Sequence, residues 1–300
     1  MVLVRVADFD PSISRRLKKI NLNDSKNEIV VGWDPRDPEE IFSQAVIRGV
    51  RKAGVKALVA GVVPTPLVPM MVIEKKAAGG VMITGSHNPK DQNGIKLFSG
   101  YRGLKLLPAN DRALTRAVFK IRFSSIARLP LKGSRVDIRQ EALSVFTRFH
   151  LQQENSWQEG NSFKNITLVV DVAHGSLSRI ARKILQRAGF GEVIEINGRL
   201  NGNVNQYSGV ADLEGNSVIL PEAILKGSGA FNRYRAIFKL FELGRQYKIE
   251  IERGRRRVCG AVFDADGDRF FMLEYDPFRD RVIVLSGDET AAHQMKYLKY

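Results

Sequence analysis

Two short polar loops hold the residue types best suited to chemistry. The first, the serine loop, brings a hydroxyl, an imidazole and an ammonium together on Ser86, His87 and Lys96. The second, the aspartate loop, runs Asp264-Ala265-Asp266-Gly267-Asp268-Arg269 and carries three carboxylates and a guanidinium. Serine can store a transferable phosphoryl group, and clustered carboxylates are hard oxygen ligands for a divalent cation. Together the loops predict metal-assisted phosphoryl transfer centred on Ser86.

The serine loop is punctuated by glycine, which favours a functional conformation. We expect Gly85 and Gly94 to let the backbone approach a phosphate and to adopt positive φ. We expect His87 and Lys96 to supply proton transfer and positive charge, and Asn88 to contact a bound phosphate. An isolated serine–histidine pair would be interpreted as a turn cap beside a surface side chain. The glycines and the downstream lysine favour the functional interpretation.

The aspartate loop is a candidate magnesium site. Asp264, Asp266 and Asp268 alternate, so an extended backbone presents their oxygens along one edge. We expect Mg²⁺ to bind there together with an oxygen on Ser86. Arg269 is expected to pair with one of the carboxylates or with the phosphoryl group. A calcium-binding EF-hand is disfavoured because the glycine precedes the third aspartate instead of following it. The alternative is a solvated turn that binds no metal.

Each loop follows a predicted strand, and the strands alternate with amphipathic helices. This order predicts an α/β fold: two tandem related α/β domains with mixed, mainly parallel sheets flanked by helices, and the truncated beginning of a third. The predicted domains are 1–152, 160–284 and 285–300, and the polar segment 153–161 is the predicted linker.

Three helix boundaries rest on particular residues. Asp37 is expected to cap a helix that has Pro38 in its first turn. The next helix is expected to close at Gly79-Gly80, before the strand that leads into the serine loop. In the second domain a helix is expected from Gly175 to Gly189.

Composition narrows the class of protein. The 300 residues, 44% of them hydrophobic, exceed what one core usually organises, and no run of about twenty apolar residues or signal peptide occurs. We therefore expect a soluble, cytoplasmic protein with no membrane partner. The single cysteine, Cys259, excludes an internal disulfide and is interpreted as a core residue.

The net charge of +15 predicts a surface that attracts phosphates, sugar phosphates or nucleic acid. The basic run 253–257 lacks interleaved aromatic residues, so it is interpreted as a solvent-exposed segment at the start of a strand. Nucleic acid is therefore not the expected partner, although charge alone leaves that class of function as an alternative.

These motifs resemble the α-D-phosphohexomutases, specifically the phosphomannomutase/phosphoglucomutase branch. The resemblance covers most of the chain and rests on segments 30–36, 64–66, 84–96, 169–171, 263–269 and 287–288. It implies that Ser86 carries the phosphoryl group, that the three aspartates hold Mg²⁺ against it, and that His87 and Lys96 assist proton transfer. The implied reaction interconverts hexose 1-phosphate and hexose 6-phosphate through a hexose 1,6-bisphosphate. Gly85 looks more like the mannose/glucose branch than the glucosamine branch.

Three departures from the family pattern shape the expectations. Segment 7–10 lacks the Arg-Gly element that usually contributes an arginine, and His174 replaces a usual asparagine, which suggests a local capping or core role. The chain is expected to end inside its third domain and to turn over substrate poorly. A non-catalytic sugar-phosphate-binding remnant is the alternative. The preferred hexose and the oligomeric state stay open.

Overall fold

The structure, a computed structural model, describes residues 26–152 and 163–298. The predicted linker at 153–161 and the altered segment at 7–10 lie outside the described residues. Two mixed sheets, each flanked by helices, confirm the predicted α/β class. We call the two parts the first and the second α/β unit; the predicted domain boundaries stay predictions.

The first unit contains a five-stranded sheet in the order β4-β3-β1-β2-β5, in which only β4 is antiparallel to its neighbour. Its strands are β1 (Lys26–Trp33), β2 (Lys56–Val62), β3 (Ala77–Ile83), β4 (Ile95–Ser99) and β5 (Arg135–Asp137). Its helices are α1 (Ile41–Lys52), α2 (Leu67–Lys75), α3 (Pro108–Lys120), α4 (Phe123–Ala127) and α5 (Arg139–Leu151).

The second unit contains a six-stranded sheet in the order β7-β6-β9-β10-β11-β8. Its strands are β6 (Ile166–Asp171), β7 (Glu192–Ile196), β8 (Val218–Ile219), β9 (Arg257–Phe263), β10 (Phe270–Asp276) and β11 (Arg281–Leu285). Its helices are α6 (Ala181–Arg187), α7 (Arg235–Gln246), α8 (Lys248–Glu252) and α9 (Gly287–Leu298). Two of its strand pairings are parallel and three are antiparallel, so it is less parallel than the first sheet.

One apolar core spans both units and fixes their relative position. Successive residues of β1 point to opposite faces of the first sheet. Val31 packs in a small apolar cluster with Ile47 of α1, whereas Val30 belongs to a second, larger apolar cluster on the other face. That larger cluster continues through Phe146 of α5 to Ala181 of α6 and Leu168 of β6. Cys259, predicted to be a core residue, is buried in it. Burial of this shared surface removes apolar area from water and docks the units together.

The three predicted helix boundaries were wrong in position. Helix α1 begins at Ile41 after a turn that contains Pro38, yet the Asp37 carboxylate still accepts hydrogen bonds from the backbone N–H groups of Ile41 at 3.0 Å and Phe42 at 2.7 Å. The cap thus acts from outside the helix. Gly79 and Gly80 lie inside β3.

Close packing explains why glycine occupies positions 79, 80 and 175. A Cβ on Gly79 would lie 2.8 Å from the carbonyl oxygen of Phe98, and one on Gly80 would lie 2.7 Å from Val68. Gly175 lies in a turn before α6, and a Cβ there would lie 2.3 Å from the carbonyl oxygen of Ala265. The absence of a side chain at Gly175 therefore lets the turn before α6 pack directly against the backbone of the aspartate loop.

None of the helices within residues 26–152 and 163–298 has the length and apolar character that crossing a bilayer requires.

Candidate active site

The serine and aspartate loops lie at corresponding ends of the two sheets. The serine loop leaves the carboxyl end of β3 and returns along the antiparallel edge strand β4. The aspartate loop joins the carboxyl end of β9, which runs parallel to β6, to β10. Open α/β sheets bind ligands beyond the carboxyl ends of their parallel strands.

The two loops meet through direct side-chain contacts. The Ser86 hydroxyl donates a hydrogen bond to Oδ2 of Asp264 at 2.6 Å. The Lys96 ammonium donates to Oδ2 of Asp266 and to Oδ2 of Asp268, each at 2.6 Å. One ligand oxygen from each of the three aspartates lies within 4.8 Å of the others. The structure therefore brings together the hydroxyl, the ammonium and the carboxylates that the sequence predicts.

The buried carboxylates perturb one another. Burial and the neighbouring charge of Asp266 raise the pKa of Asp264 to about 7. Burial, the largest single influence, would raise the pKa of Asp266, but the charge of Lys96 and the hydrogen bonds to the carboxylate together lower it. For Lys96 itself, burial would lower the pKa, whereas Asp266 and Asp268 together raise it. Lys96 is therefore an ammonium in this arrangement, and it offsets part of the negative charge.

The aspartate cluster fits a hard divalent cation. Asp264 and Asp266 are completely buried, and Oδ1 of Asp266 has no hydrogen-bond partner among the described residues. A buried carboxylate oxygen without a partner is costly unless a charge or donor compensates it. Three carboxylate oxygens at short mutual distance suit Mg²⁺, which commonly binds a few protein carboxylates and keeps positions for phosphate and water.

Thr65 fixes the aspartate loop from the first unit. Its hydroxyl donates a short hydrogen bond to Oδ2 of Asp266, and its backbone N–H donates to the Asp266 carbonyl at 2.7 Å. In the sequence, segment 64–66 contributes only to the family resemblance. No pattern of neighbouring residues predicts the contact of Thr65 with Asp266, which lies 201 positions away in the sequence.

Arg36 holds the serine loop in shape, and sequence reasoning assigned it no role. Its guanidinium is paired with the Asp34 carboxylate at 2.9 Å, and both side chains are essentially buried. It donates to the carbonyls of Ser86 at 2.6 Å, Gln92 at 2.5 Å and Pro89 at 3.2 Å. The buried guanidinium thus donates hydrogen bonds to turn carbonyls that would otherwise lack a donor.

The positive φ expected of the loop glycines belongs instead to Ser86. Its φ is 52°, whereas Gly85 and Gly94 do not adopt positive φ. Gly85 is needed for space, because a Cβ there would lie 2.2 Å from Nη1 of Arg36. The Ser86 N–H donates to the hydroxyl oxygen of Thr84 at 2.7 Å, which completes the turn.

The remaining predicted site residues, His87, Asn88 and Arg269, also lie in the two loops. Nδ1 of His87 is buried and has no hydrogen-bond partner among the described residues. Asn88 takes part through its backbone, since its N–H donates to the carbonyl of Gly85 at 3.0 Å. The Arg269 N–H donates to Oδ1 of Asp264 at 3.1 Å, and its side chain lines a cavity of about 610 Å³ next to the aspartate loop.

His174, which replaces the asparagine usual in the family, has a local role. Its backbone N–H donates to the carbonyl of Asn197 at 2.6 Å, and its ring Nδ1 lies 3.1 Å from the carbonyl oxygen of Arg199. Burial lowers the pKa of the ring.

The second unit also reaches the serine loop through Asn205. Its Nδ2 donates to the carbonyls of Ser86 at 2.8 Å and Asn88 at 2.9 Å. Asn205 ends a segment rich in Asn and Gly, and no sequence pattern distinguishes it from its neighbours. The fold and the site together define a two-unit α/β protein in which Ser86 and a cluster of three aspartates meet between the units.

Comparison with known proteins shows similarity to one family. A family model described as phosphoglucomutase/phosphomannomutase, alpha/beta/alpha domain I, matches residues 8–125. Phosphoglucosamine mutase of Rhodococcus opacus (strain B4) is 35% identical over 187 residues, which cover 62% of this chain and 40% of that protein. Phosphoglucosamine mutase of Actinobacillus succinogenes is 27% identical over 270 residues, which cover 89% of this chain and 52% of that protein.

A solved structure supports the fold. The phosphoglucomutase/phosphomannomutase family protein from Burkholderia thailandensis superposes with a TM-score of 0.55 at 22% identity, covering 82% of this chain and 46% of that one. The chain is therefore similar in sequence and in fold to α-D-phosphohexomutases. It spans about half the length of the curated relatives it matches, 40% and 52% in the two cases above.

Proposed function

We propose that the chain provides the phosphoserine and metal-binding machinery of an intramolecular phosphotransferase that interconverts hexose 1-phosphate and hexose 6-phosphate. The observation that carries this proposal is the 2.6 Å contact between the Ser86 hydroxyl and the Asp264 carboxylate, inside a cluster of three aspartates. A phosphoryl group on Ser86 would lie next to the carboxylates that hold the cation. Charge neutralisation and positioning are the main needs of phosphoryl transfer.

The reaction has two balanced steps. In the first, the P–O bond to Ser86 breaks, a P–O bond to the free hydroxyl of a hexose monophosphate forms, and the proton of that hydroxyl ends on the Ser86 oxygen. In the second, the bond between the sugar oxygen and its other phosphoryl group breaks, and a P–O bond to the Ser86 oxygen forms. The serine proton ends on the sugar oxygen, which leaves the isomeric monophosphate. The serine is thus regenerated in its phosphorylated form.

Each predicted residue has a role in these steps. Asp264, Asp266 and Asp268 would hold Mg²⁺, which supplies Lewis-acid stabilisation of the phosphoryl charge when bound. The buried, unpaired Nδ1 of His87 is suited to exchange a proton with the reacting oxygen, and the Lys96 ammonium supplies positive charge and a proton.

The substrate's two phosphates would be held by further groups of the same site. Arg269 and Asn88 are proposed to contact the phosphates of the sugar, because Arg269 lines the cavity beside the aspartate loop and Asn88 lies in the serine loop. Hexose phosphates and a hexose 1,6-bisphosphate are therefore the proposed ligands, in the cytoplasm.

Two sugar classes are candidates. Gly85 favours mannose and glucose phosphates, whereas the two curated relatives described above are named phosphoglucosamine mutases, which favours glucosamine phosphate. A phosphorylated preparation offered each hexose monophosphate in turn would discriminate between them by its rate of phosphoryl loss.

The direct test is phosphoryl uptake from glucose 1,6-bisphosphate with Mg²⁺, followed by intact-mass spectrometry. We expect a single phosphoryl adduct that Ser86→Ala removes. Ser125→Ala is the matched control, because Ser125 is an exposed helix residue with a local hydrogen bond to Arg122, and it should leave the adduct unchanged. Ligand binding without an adduct would favour the non-catalytic alternative instead.

A further inference from the structure

The carbonyl of Ser86 accepts hydrogen bonds from two donors that belong to different units. Nη2 of Arg36 donates from the first unit at 2.6 Å, and Nδ2 of Asn205 donates from the second unit at 2.8 Å. The second N–H of the same amide reaches the carbonyl of Asn88 at 2.9 Å. Asn205 therefore connects two carbonyls of the serine loop to the unit that carries the aspartates.

These bonds act on a strained residue. Ser86 has a φ of 52°, a left-handed conformation that is unfavourable for a residue with a Cβ. Such conformations persist only where surrounding contacts hold them, and they occur often at functional sites. Fixing the Ser86 carbonyl fixes the adjoining peptide plane, and with it the direction of the Cβ and the hydroxyl that reaches Asp264.

Asn205 is itself anchored deep in the second unit. It has a φ of 57°, and its N–H donates to the carbonyl of Ala173 at 3.0 Å. The N–H of Ala173 in turn donates to Oδ1 of the buried Asp171 at 2.9 Å. A continuous series of contacts therefore leads from the end of β6 to the serine carbonyl.

The side-chain amide of Asn205 acts as a hydrogen-bond donor to the serine loop. Its Nδ2 faces two carbonyl oxygens, which an amide oxygen would repel, whereas its Oδ1 is buried and has no partner among the described residues. A buried acceptor without a donor lowers stability. Folding alone therefore gives little reason for this arrangement, but the orientation of the serine does.

We propose that Asn205 is a positioning residue through which the second unit directs the Ser86 hydroxyl toward the aspartate cluster. The inference rests on the proposed function and deepens it. It assigns the loop after β7 a role in the phosphoryl-transfer step and makes the correct serine geometry depend on the docking of the two units.

The test compares Asn205→Asp with Asn205→Ala, using the rate of phosphoryl uptake from glucose 1,6-bisphosphate. Aspartate keeps the shape of the side chain but places an acceptor against the two carbonyls, whereas alanine only removes the donors. We expect the maximal uptake rate to fall at least about tenfold in both variants, and further in Asn205→Asp, because small misplacements of reacting groups cost large factors in rate. The bisphosphate concentration at half-maximal rate should stay unchanged.

Asn203→Ala is the matched control. Asn203 lies two residues away in the same loop and also crosses between units, where its Oδ1 accepts a hydrogen bond from Lys90 at 2.8 Å. Among the described residues, Asn203 donates no hydrogen bond to the carbonyl of Ser86 or of Asn88. We expect its uptake rate to remain within about twofold of the parent, as for a surface substitution away from the reacting groups.

The outcomes separate the inference from the proposed function. If the parent chain acquires no phosphoryl group at Ser86, the proposed function fails. If the parent is phosphorylated and both Asn205 variants match its rate, or change only the half-maximal concentration, the positioning role is overturned. A loss of folding in Asn205→Ala, measured by thermal unfolding, would assign Asn205 a structural role and would also overturn it.

Discussion

The hydroxyl of Ser86 lies 2.6 Å from the carboxylate of Asp264, although 178 positions separate the two residues. Each is presented by a loop at the carboxyl end of a strand, and each strand belongs to a different sheet. The shared apolar core holds those sheets together. The site is therefore a property of the contact between units, and substitutions on either side of that contact should affect it.

Magnesium should stabilise the folded chain through the aspartate cluster. Binding to the native state alone raises stability with metal concentration, so MgCl₂ should raise the thermal unfolding midpoint. Asp266→Asn should abolish the increase. Asp276→Asn is the control, because this carboxylate pairs with Arg281 on a hairpin away from the cluster. An unchanged increase in Asp266→Asn would contradict the assigned metal site.

Lys96→Met should destabilise the metal-free chain. The substitution leaves Asp266 and Asp268 without their counter-ion, and removing one partner of a largely buried pair costs roughly 3–5 kcal/mol. Mg²⁺ should restore part of the lost stability, because a cation replaces the missing charge. Denaturant unfolding with and without Mg²⁺ measures both effects. Lys75→Met removes a more exposed pair with Glu141 and should change stability little.

Gly85→Ala should displace the serine loop. The added Cβ would lie 2.2 Å from Nη1 of Arg36, so the buried guanidinium or the loop must move. We expect a loss of about 1–3 kcal/mol in unfolding free energy, as for other overpacked sites, together with slow phosphoryl uptake. In contrast, Gly49→Ala should be tolerated, since its Cβ would meet no atom within 4 Å in helix α1. Equal stability of the two variants would show that the Arg36 contact is not restrictive.

Asp171 should make stability depend on pH. Burial raises the pKa of its carboxyl from 3.8 to about 6, so the folded chain binds this proton more tightly than the unfolded chain. The resulting stability is fully present below pH 3.8 and is lost as pH rises through about 6. The loss is on the order of 3 kcal/mol for a shift of this size.

Asp171→Asn provides the matching measurement. The variant retains the Oδ1 acceptor for the Ala173 N–H but carries no titrating charge. Urea unfolding from pH 4 to pH 8 should show the variant gaining stability relative to the parent as pH rises. A difference that stays constant across this range would show that Asp171 titrates normally in the folded chain.

Local patterns along the chain determined the elements and the chemical groups. A strand was predicted before each of the two loops, where β3 and β9 lie. Residue types alone marked Ser86, Lys96 and the aspartate loop as a phosphoryl-transfer site. Such features depend on side-chain periodicity and on groups a few residues apart, which a sequence displays directly. Glycine positions were harder to interpret, because a glycine can serve a turn, a strand or a close contact.

Tertiary structure decided how these groups are used. The left-handed conformation of Ser86, the buried Arg36 beneath it, and the contacts from Thr65 and Asn205 depend on segments 50 to 201 positions apart. No local pattern encodes these contacts, because they form only when two sheets dock over a common apolar core and their loop ends converge. The sequence by itself therefore named the reacting groups, whereas packing between the units set the geometry in which they can react.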